Sequence, residues 1–254
     1  MAWDPSVYMR YADERTRPAV ELLARVRSDN PGRVIDLGCG PGNSTAVLAA
    51  RWPKAILEGL DSSGEMLVQA AKSGVAARWI NADVATWSPQ ESYDVIFSNA
   101  TLQWLDDHPA LIARLLRFVA RGGTFAFQVP HNMAAPSHVL MREAAAAGPW
   151  AAKLRHVREV AVLQPADYFA ILSGTETDIW ETEYLHVLGG EDAVYKWVSA
   201  TGLRPFVQAL DGAERDGFIA AYKQKLRAAY PTRNDGTTLF PFKRLFVVAR
   251  QRSP

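Results

Sequence analysis

Residues 34–42 read Val-Ile-Asp-Leu-Gly-Cys-Gly-Pro-Gly, a short apolar run that passes directly into glycines at alternate positions. The apolar run predicts a buried strand, and residues 44–51 behind it favour a helix. Glycines at a strand-to-helix turn let the backbone approach a ligand, and the helix beyond them offers free N–H groups. This stretch therefore predicts a turn that binds a nucleotide-like ligand.

The spacing of the glycines distinguishes this turn from that of dinucleotide-binding proteins. Gly38, Gly40 and Gly42 follow a G-x-G-x-G pattern, whereas dinucleotide sites carry G-x-G-x-x-G. Pro41 also removes one backbone donor that a pyrophosphate could use. Both differences argue against a nicotinamide dinucleotide.

Strand and helix patterns alternate through the first half of the chain, after an apolar helical stripe at 16–27. The predicted pairs are 34–37 with 44–51, 55–60 with 63–72, and 93–98 with 109–119, followed by a strand at 123–129. Strands that are apolar on both faces and alternate with helices predict an α/β fold with a parallel sheet covered on both sides.

After Pro130 this rhythm stops. The patterns predict a helix at 137–147, a strand at 177–187, helices over 193–230 broken at Gly202 and Pro205, and a last strand at 245–249. We therefore expect a single domain over 1–254. Its predicted parts are a helical cover at 1–31, a cofactor-binding core at 32–130, a mainly helical substrate-side region at 131–240, and a final strand with its tail at 241–254.

The composition is that of a globular protein, with 48% hydrophobic and 22% charged residues. Lys and Arg total 28 against 27 Asp and Glu, without the basic excess of a nucleic-acid-binding protein. No apolar run approaches the roughly 18 residues of a membrane span, and the first residues carry acids and aromatics where a secretory signal is apolar. With Cys39 as the single cysteine, we expect a cytoplasmic protein that binds neither nucleic acid nor membrane.

Two acidic residues follow the strands that come after the glycine loop. Asp61 ends the second predicted strand, and Asp83 ends the short apolar stretch 79–83. The carboxyl ends of parallel strands share one edge of a sheet, and an acid at this place in such folds binds ribose hydroxyls. Each acid taken singly is also compatible with a helix cap or a solvated loop residue, but together with the glycine loop they predict a nucleoside site.

The segments VIDLGCGPG, LEGLDSS, NADV and YDVIFSNATLQWL, in this order, resemble the Class I S-adenosylmethionine-dependent methyltransferase family over residues 34–129. The resemblance implies a Rossmann-like, mostly parallel seven-stranded sheet with helices on both faces. It also implies S-adenosylmethionine as cofactor and S-adenosylhomocysteine as product. By the same resemblance, Asp36 and the glycine loop hold the methionine end of the cofactor, and Asn99 lies beside it.

The resemblance also assigns the nucleoside end of the cofactor. Asp61 binds both ribose hydroxyls, Met66 packs on adenine, and Asp83 with Val84 contacts the amino edge. Met66 could equally be an ordinary core residue, and Cys39 is expected to be a buried structural thiol. The full predicted cofactor site is Tyr11, Asp36, Gly38, Gly40, Gly42, Asn43, Asp61, Ser62, Met66, Asp83, Val84 and Asn99.

Segments along almost the whole chain, most of them outside this core, resemble the branch of the family that esterifies a small tricarboxylate. They are 3–26, 99–109, 138–144, 198–206 and 240–250. No part of 148–164 matches. A small polycarboxylate substrate needs cations inside a cleft, and Arg142, Arg204 and Arg244 are the candidates because a guanidinium pairs with a carboxylate through two hydrogen bonds. Arg244 is the strongest, since it lies in an aromatic-rich run.

Other substrate residues are predicted from their position. Trp180 and His186 lie in an alternating row that forms a pocket wall or a plain amphipathic strand, and Gln103 and Trp104 directly follow the fourth strand. Aromatics near the start of the chain cover the site or pack that segment against the body. The predicted substrate site is Tyr8, Gln103, Trp104, Arg142, Trp180, His186, Arg204 and Arg244.

A carboxylate with an ordinary pKa of about 4 is already ionised at neutral pH. We therefore expect catalysis by positioning, without a nucleophile, a general base or a metal. One alternative is methylation of another small carboxylate, or of a neutral hydroxyl or amine, for which His131, His138 or His186 could act as base. Alternatives from other classes are a module that binds the cofactor without turnover and a nicotinamide dehydrogenase.

Overall fold

The computed structural model describes residues 12–158, 160 and 162–252. Its strands form one seven-stranded sheet. The strands are β1 (Arg33–Leu37), β2 (Ile56–Asp61), β3 (Arg78–Asn81), β4 (Tyr93–Asn99), β5 (Val119–Pro130), β6 (Thr175–Gly189) and β7 (Thr237–Gln251). The order across the sheet is β3-β2-β1-β4-β5-β7-β6.

Strands β1 to β5 pair in parallel, and β7 runs antiparallel to β5. The predicted mostly parallel seven-stranded sheet is confirmed. The chain leaves β1 towards β2 and β3 on one side and continues with β4 and β5 on the other side. In an open α/β sheet, ligands bind beyond the carboxyl ends of the strands at such a reversal of order. The glycine loop follows β1 and Asn99 ends β4, so both lie at this point.

Helices connect the strands. They are α1 (Ala12–Arg25), α2 (Asn43–Arg51), α3 (Gly64–Lys72), α4 (His108–Leu116), α5 (Pro136–Ala147), α6 (Ala151–Leu154), α7 (Pro165–Ile171), α8 (Ala193–Ser199), α9 (Arg204–Gln208) and α10 (Gly212–Ala229), with a 3₁₀ turn at Leu102–Trp104. None of the described helices is both long and apolar enough to cross a membrane.

The chain divides into two compact units. Among the described residues, the sheet unit comprises 12–130, 162–182 and 244–252, and the helical unit comprises 131–158, 160 and 183–243. Strands β6 and β7 contribute residues to both. The single domain and the part boundaries expected from the sequence stay a prediction.

The core of the sheet unit lies on the strands that carry the site. Its largest cluster joins Ile35, Ile96 and Phe127, all fully buried, to side chains of α4 and α7. Burying an aliphatic or aromatic side chain contributes about 1.5–3 kcal/mol, so this cluster holds the central strands rigidly. In the helical unit, α5 packs against α10, and the Tyr222 hydroxyl donates to the Ser137 carbonyl at 2.7 Å.

Several predicted element bounds were wrong. The last strand starts at Thr237 rather than at 245. The sequence pattern missed its first half because buried and half-buried residues alternate there, and only the second half is continuously buried. Pro205 does not break a helix but lies in the first turn of α9, where the missing N–H has no partner to lose. Strand β3 ends at Asn81, so Asp83 lies two residues beyond it. Helix α6 lies within the stretch that matched nothing.

Candidate active site

The glycine loop adopts backbone angles that side-chain-bearing residues rarely take. Gly38, Gly40 and Gly42 have φ of 70°, 55° and 94°, all in the left-handed region. A Cβ at Gly38 would lie 2.2 Å from the Thr101 side chain, so the loop packs directly on the segment after β4. A Cβ at Gly40 would meet nothing within 4 Å. The loop is therefore closed against the protein at Gly38 and open at Gly40.

Asp61 ties the glycine loop to the next helix. Its Oδ2 accepts the Gly40 N–H at 2.9 Å and its Oδ1 accepts the Ser63 N–H at 2.8 Å. The Ser63 hydroxyl caps α3 by accepting the Met66 N–H. A carboxylate offers about four lone-pair positions, so half-buried Asp61 keeps one acceptor position on each oxygen. Two such positions match a vicinal diol.

Asp36 is fully buried at the end of β1. Its Oδ2 accepts the hydroxyls of Ser44 and Thr45, each at 2.7 Å, which anchors the first turn of α2. Its Oδ1 is buried without a hydrogen-bond partner. Burial raises the pKa of this carboxyl to about 6, although the two hydroxyls oppose the rise. The carboxylate therefore gains from any cation or donor placed at Oδ1.

The remaining predicted cofactor residues, among them Met66, Asp83 and Val84 for the nucleobase, lie on loops and at helix starts. Met66 is buried on α3 and Val84 is buried beyond β3. Asp83 is exposed and its Oδ1 accepts the Ala85 N–H at 2.8 Å. Ser62 is exposed, and Asn43 is the half-buried first residue of α2. The capped start of α3, with Met66 buried beside the exposed polar residues Ser62 and Asp83, suits a purine. These assignments stay predictions.

The turn after β4 carries backbone strain. Ala100 has φ of 56°, which costs a residue with a side chain of order 1–3 kcal/mol. Its N–H donates to the Gln128 carbonyl at 2.9 Å, and its carbonyl accepts Nε2 of Gln103 at 2.7 Å. Gln103 is buried, while Trp104 is 41% exposed. Gln103 thus holds the strained turn, and Trp104 is the one of the two that offers a surface to a ligand.

A buried pair that the sequence analysis missed fixes the same turn. Burial lowers the pKa of His108 and raises that of Tyr168 to about 12. Neutral His108 donates from Nε2 to the Leu102 carbonyl at 2.9 Å, and Nδ1 accepts the Tyr168 hydroxyl at 2.6 Å. The sequence around His108 shows only a helix start, so no local signal reveals a partner 60 residues away.

The two remaining substrate candidates of the sheet unit differ in character. Arg244 is 4% exposed and its Nη1 donates to Oε1 of Gln128 at 2.9 Å. Its predicted burial is therefore found. Trp180 stacks on Phe246 with ring centroids 4.9 Å apart, and the Arg25 guanidinium lies 4.8 Å from its ring. Trp180 therefore packs on β7 and on the end of α1, and because it is only half-buried its assignment to the substrate site stays a prediction.

The helical unit holds the other candidates. His186 is buried with its ring centroid 4.4 Å from that of Trp197 and 6.0 Å from that of Phe242. The predicted alternation on β6 is observed, because Tyr184 and His186 are buried while their neighbours are exposed. The ring of His186 thus packs in an aromatic cluster, and its role as a substrate residue stays a prediction.

Arg142 and Arg204 are both half-buried. Arg142 donates from Nη2 to the Met133 carbonyl at 2.9 Å, and Arg204 begins α9. The predicted residues Tyr8 and Tyr11 lie outside the described residues. In the sheet unit, the structure brings Asp36, Asp61 and the glycine loop close together. In the helical unit, Arg142 and Arg204 lie on separate helices.

Two groups that could act as a nucleophile or base, Cys39 and His138, are poorly disposed for it. Burial raises the pKa of the Cys39 thiol, and the neighbouring carboxylates of Asp36 and Asp61 raise it further. His138 is buried beside the Ser137 hydroxyl at 3.2 Å, and burial with the nearby Arg142 lowers its pKa to about 4. A base of that pKa is weak. The described part of the chain contains no group of three His, Cys, Asp or Glu suited to a metal ion.

Comparison with known proteins identifies the family. A model described as a methyltransferase domain matches residues 8–168. A relative from Methylobacterium radiotolerans, named trans-aconitate 2-methyltransferase, is 49% identical, and the alignment covers 99% of both chains. Relatives of the same name from Azoarcus sp. and Streptomyces avermitilis are 48% and 47% identical, over 97% and 99% of this chain and 98% of each relative. The chain belongs to the methyltransferase family.

Solved structures agree on the fold of this methyltransferase. The YcgJ protein from Bacillus subtilis has a TM-score of 0.62 at 14% identity, covering 94% of this chain and 100% of that one. The plantazolicin methyltransferase BpumL, in complex with S-adenosylhomocysteine, has a TM-score of 0.55 at 18% identity and covers 98% and 91%. The [4+2]-cyclase SpnF has a TM-score of 0.57 at 15% identity, covering 94% and 81%, so the fold by itself does not fix the reaction. The Rossmann-like Class I fold expected from the motifs is confirmed.

Proposed function

We propose that this methyltransferase transfers a methyl group from S-adenosylmethionine to a carboxylate oxygen of trans-aconitate, giving the monomethyl ester and S-adenosylhomocysteine. The observation that carries the proposal is the relationship to proteins named trans-aconitate 2-methyltransferase, at 46–49% identity over at least 97% of the chain. Identity at this level over the whole length includes the segments that lie outside the cofactor-binding motifs.

The residues at the carboxyl ends of β1 and β2 suit the cofactor. Asp61 keeps two acceptor positions for the ribose hydroxyls, and the open space at Gly40 admits the ligand to the loop. The unpartnered Oδ1 of Asp36 accepts a donor from the methionine end. Bound S-adenosylmethionine supplies an electrophilic methyl group on a sulfonium.

The acceptor requires positioning rather than activation. A carboxylate is ionised at neutral pH, so no group of the protein has to remove a proton. Arg244 binds a carboxylate that does not react and so orients the one that does. Correct orientation and exclusion of water contribute up to about 7–11 kcal/mol to such a transfer. The strained turn at Ala100, held by Gln103 and by the His108–Tyr168 pair, fixes the wall beside the transferred methyl.

The alternative with a neutral acceptor has less support. Of its three candidate bases, His138 has a pKa of about 4 and is a weak base, His186 packs among aromatic rings, and half-buried His131 directly after β5 is the one that this alternative would use. Another small carboxylate as substrate would use the same residues. Binding to nucleic acid or membrane is not part of the proposal, and the cytoplasmic location stays a prediction.

The proposed function is tested with methyl-labelled S-adenosylmethionine and a panel of acceptors. The panel holds trans-aconitate, other tri- and dicarboxylates, a monocarboxylate, and neutral hydroxyl and amine compounds. We expect label in a base-labile ester of trans-aconitate, at the highest kcat/KM of the panel. Transfer to a neutral acceptor alone, or tight binding of NAD with none of S-adenosylhomocysteine, would contradict the proposal.

A further inference from the structure

Gln128 lies where the proposed reaction takes place. It pairs in register with Asn99 of β4 on one side and with Phe246 of β7 on the other. Paired residues of neighbouring strands project to the same face of a sheet, so the Gln128 side chain shares a face with Asn99. It is fully buried. Nothing in the sequence motifs singled it out.

The amide of Gln128 has one engaged end and one free end. Arg244 donates from Nη1 to Oε1 at 2.9 Å. A guanidinium has only donors, so the oxygen must face Arg244 and the orientation of the amide is fixed. Nε2 therefore points away from Arg244, and this buried donor has no hydrogen-bond partner. Buried donors in native proteins are almost always paired, so Nε2 is available to an acceptor that a ligand or a water molecule supplies.

The chemistry of the pair selects an anion. Arg244 and Nε2 of Gln128 together present a guanidinium charge and a neutral donor, fixed relative to each other and removed from water. A carboxylate has only acceptors when ionised, and its hydrogen bonds to such groups are stronger than those between neutral partners. In the proposed complex two carboxylates would come near this edge, one on the substrate and one on the methionine end of the cofactor.

We propose that Gln128 is a substrate-binding residue, which donates from Nε2 to a non-reacting carboxylate of the substrate while Arg244 holds its amide in place. This inference rests on the proposed function for the nature of the substrate. The selection of polycarboxylates is thereby assigned to two residues on β5 and β7. Gln128 supplies the directed hydrogen bond to the substrate carboxylate, and Arg244 supplies the positive charge near it.

The test uses two substitutions with opposite chemistry and one control. Gln128→Met keeps the size and removes the amide. Gln128→Glu keeps the shape, gains an ion pair with Arg244 and places an oxygen where the donor was. Thr124→Val is the control, because Thr124 is buried on the same strand and face, four residues or about 13 Å away. The measurements are KM and kcat for trans-aconitate at saturating cofactor, the Kd of S-adenosylhomocysteine, and thermal unfolding.

We expect Gln128→Met to raise KM for trans-aconitate about ten- to a hundredfold. Gln128→Glu should raise it more, although its unfolding temperature is not below that of the parent. The Kd of S-adenosylhomocysteine and the values for Thr124→Val should stay within about threefold. A raised Kd of S-adenosylhomocysteine with unchanged KM would assign the donor to the cofactor carboxylate and overturn the proposal. If kcat and the unfolding temperature of Gln128→Met both fell while KM stayed unchanged, Gln128 would have only a structural role, and the proposal would be overturned.

Calorimetry of trans-aconitate with the S-adenosylhomocysteine complex separates this inference from the proposed function. The parent protein should bind the tricarboxylate and Gln128→Met should bind it about ten- to a hundredfold more weakly, whether or not turnover occurs. Equal affinities would overturn the role of Gln128, and they would leave a turnover result for the parent protein intact.

Discussion

The sheet unit and the helical unit differ in how their polar side chains are held. In the sheet unit, Asp36 and Asp61 lie at the carboxyl ends of adjacent strands, and each accepts two hydrogen bonds from the loop and helix residues beyond those strands. In the helical unit, Arg142 and Arg204 are half-buried on separate helices. Strand ends place side chains by the geometry of the sheet itself, whereas the position of a residue on a connecting helix depends on packing. The sheet therefore positions Asp36, Asp61 and Arg244 directly, whereas the positions of Arg142 and Arg204 depend on how their helices pack.

The largest effect is expected at Asp61. In Asp61→Ala the ribose hydroxyls lose their acceptor and the N–H groups of Gly40 and Ser63 lose theirs. The Kd of S-adenosylhomocysteine should rise roughly a hundredfold or more, and the free energy of unfolding should fall by about 1–3 kcal/mol. Calorimetry and denaturant unfolding measure the two quantities.

Asp94 provides a matched control for Asp61. Its Oδ2 also accepts two backbone N–H groups, from Gly32 at 2.6 Å and Arg33 at 3.0 Å, but it lies at the opposite ends of β1 and β4. Asp94→Ala should lose similar stability and keep the affinity for S-adenosylhomocysteine. If both variants lost the same affinity, the effect at Asp61 would be one of stability alone.

A second large effect concerns the stability of the ligand-free protein and its dependence on pH. Asp36 has a pKa of about 6 in place of 3.8, so its neutral form is favoured in the folded state. Its contribution is full below about pH 4 and is lost as pH rises through 6, in total about 3 kcal/mol. Asp36→Asn removes this loss. Denaturant unfolding of both proteins at several pH values should show curves that diverge between pH 4 and 6, and parallel curves would contradict the burial of an ionisable group there.

The smaller effects compare the arginines of the two units. Arg244→Lys keeps the charge and loses the planar fork that bonds to Gln128, so KM for trans-aconitate should rise about ten- to a hundredfold. Arg204→Lys should change it by less than about threefold. Steady-state kinetics on the two variants measures both changes in KM. A larger loss at Arg204 would reverse the comparison and assign substrate charge recognition to the helical unit.

The sequence predicted the parts of the molecule that follow from local pattern. The glycine loop, the strand end at Asp61, and the parallel pairing of the central strands all arise from periodicity and turn chemistry, whereas Asn99 was assigned by resemblance. The burial of Arg244 followed from the apolar residues around it. The resemblance to known methyltransferases then identified the cofactor that residues at these positions are expected to bind.

Contacts between distant segments were not predictable in this way. The pairing of His108 with Tyr168, of Gln128 with Arg244, and of Trp180 with Phe246 depends on which strands and helices meet. Each partner has an ordinary local context. Trp180 is an example, since its alternating row predicted neither its stacking on Phe246 nor its contact with Arg25.

The absence of a general base is the claim that most directly separates carboxylate methylation from its alternatives. The measurement is kcat/KM for trans-aconitate between about pH 6 and 9, with the cofactor saturating so that the titration of Asp36 in the ligand-free protein does not enter. Carboxylates and arginines keep their charge over this range, so the account predicts a profile that is flat within about twofold. A tenfold fall for each pH unit below an apparent pKa of about 7 would show that a base takes part, and would contradict the account.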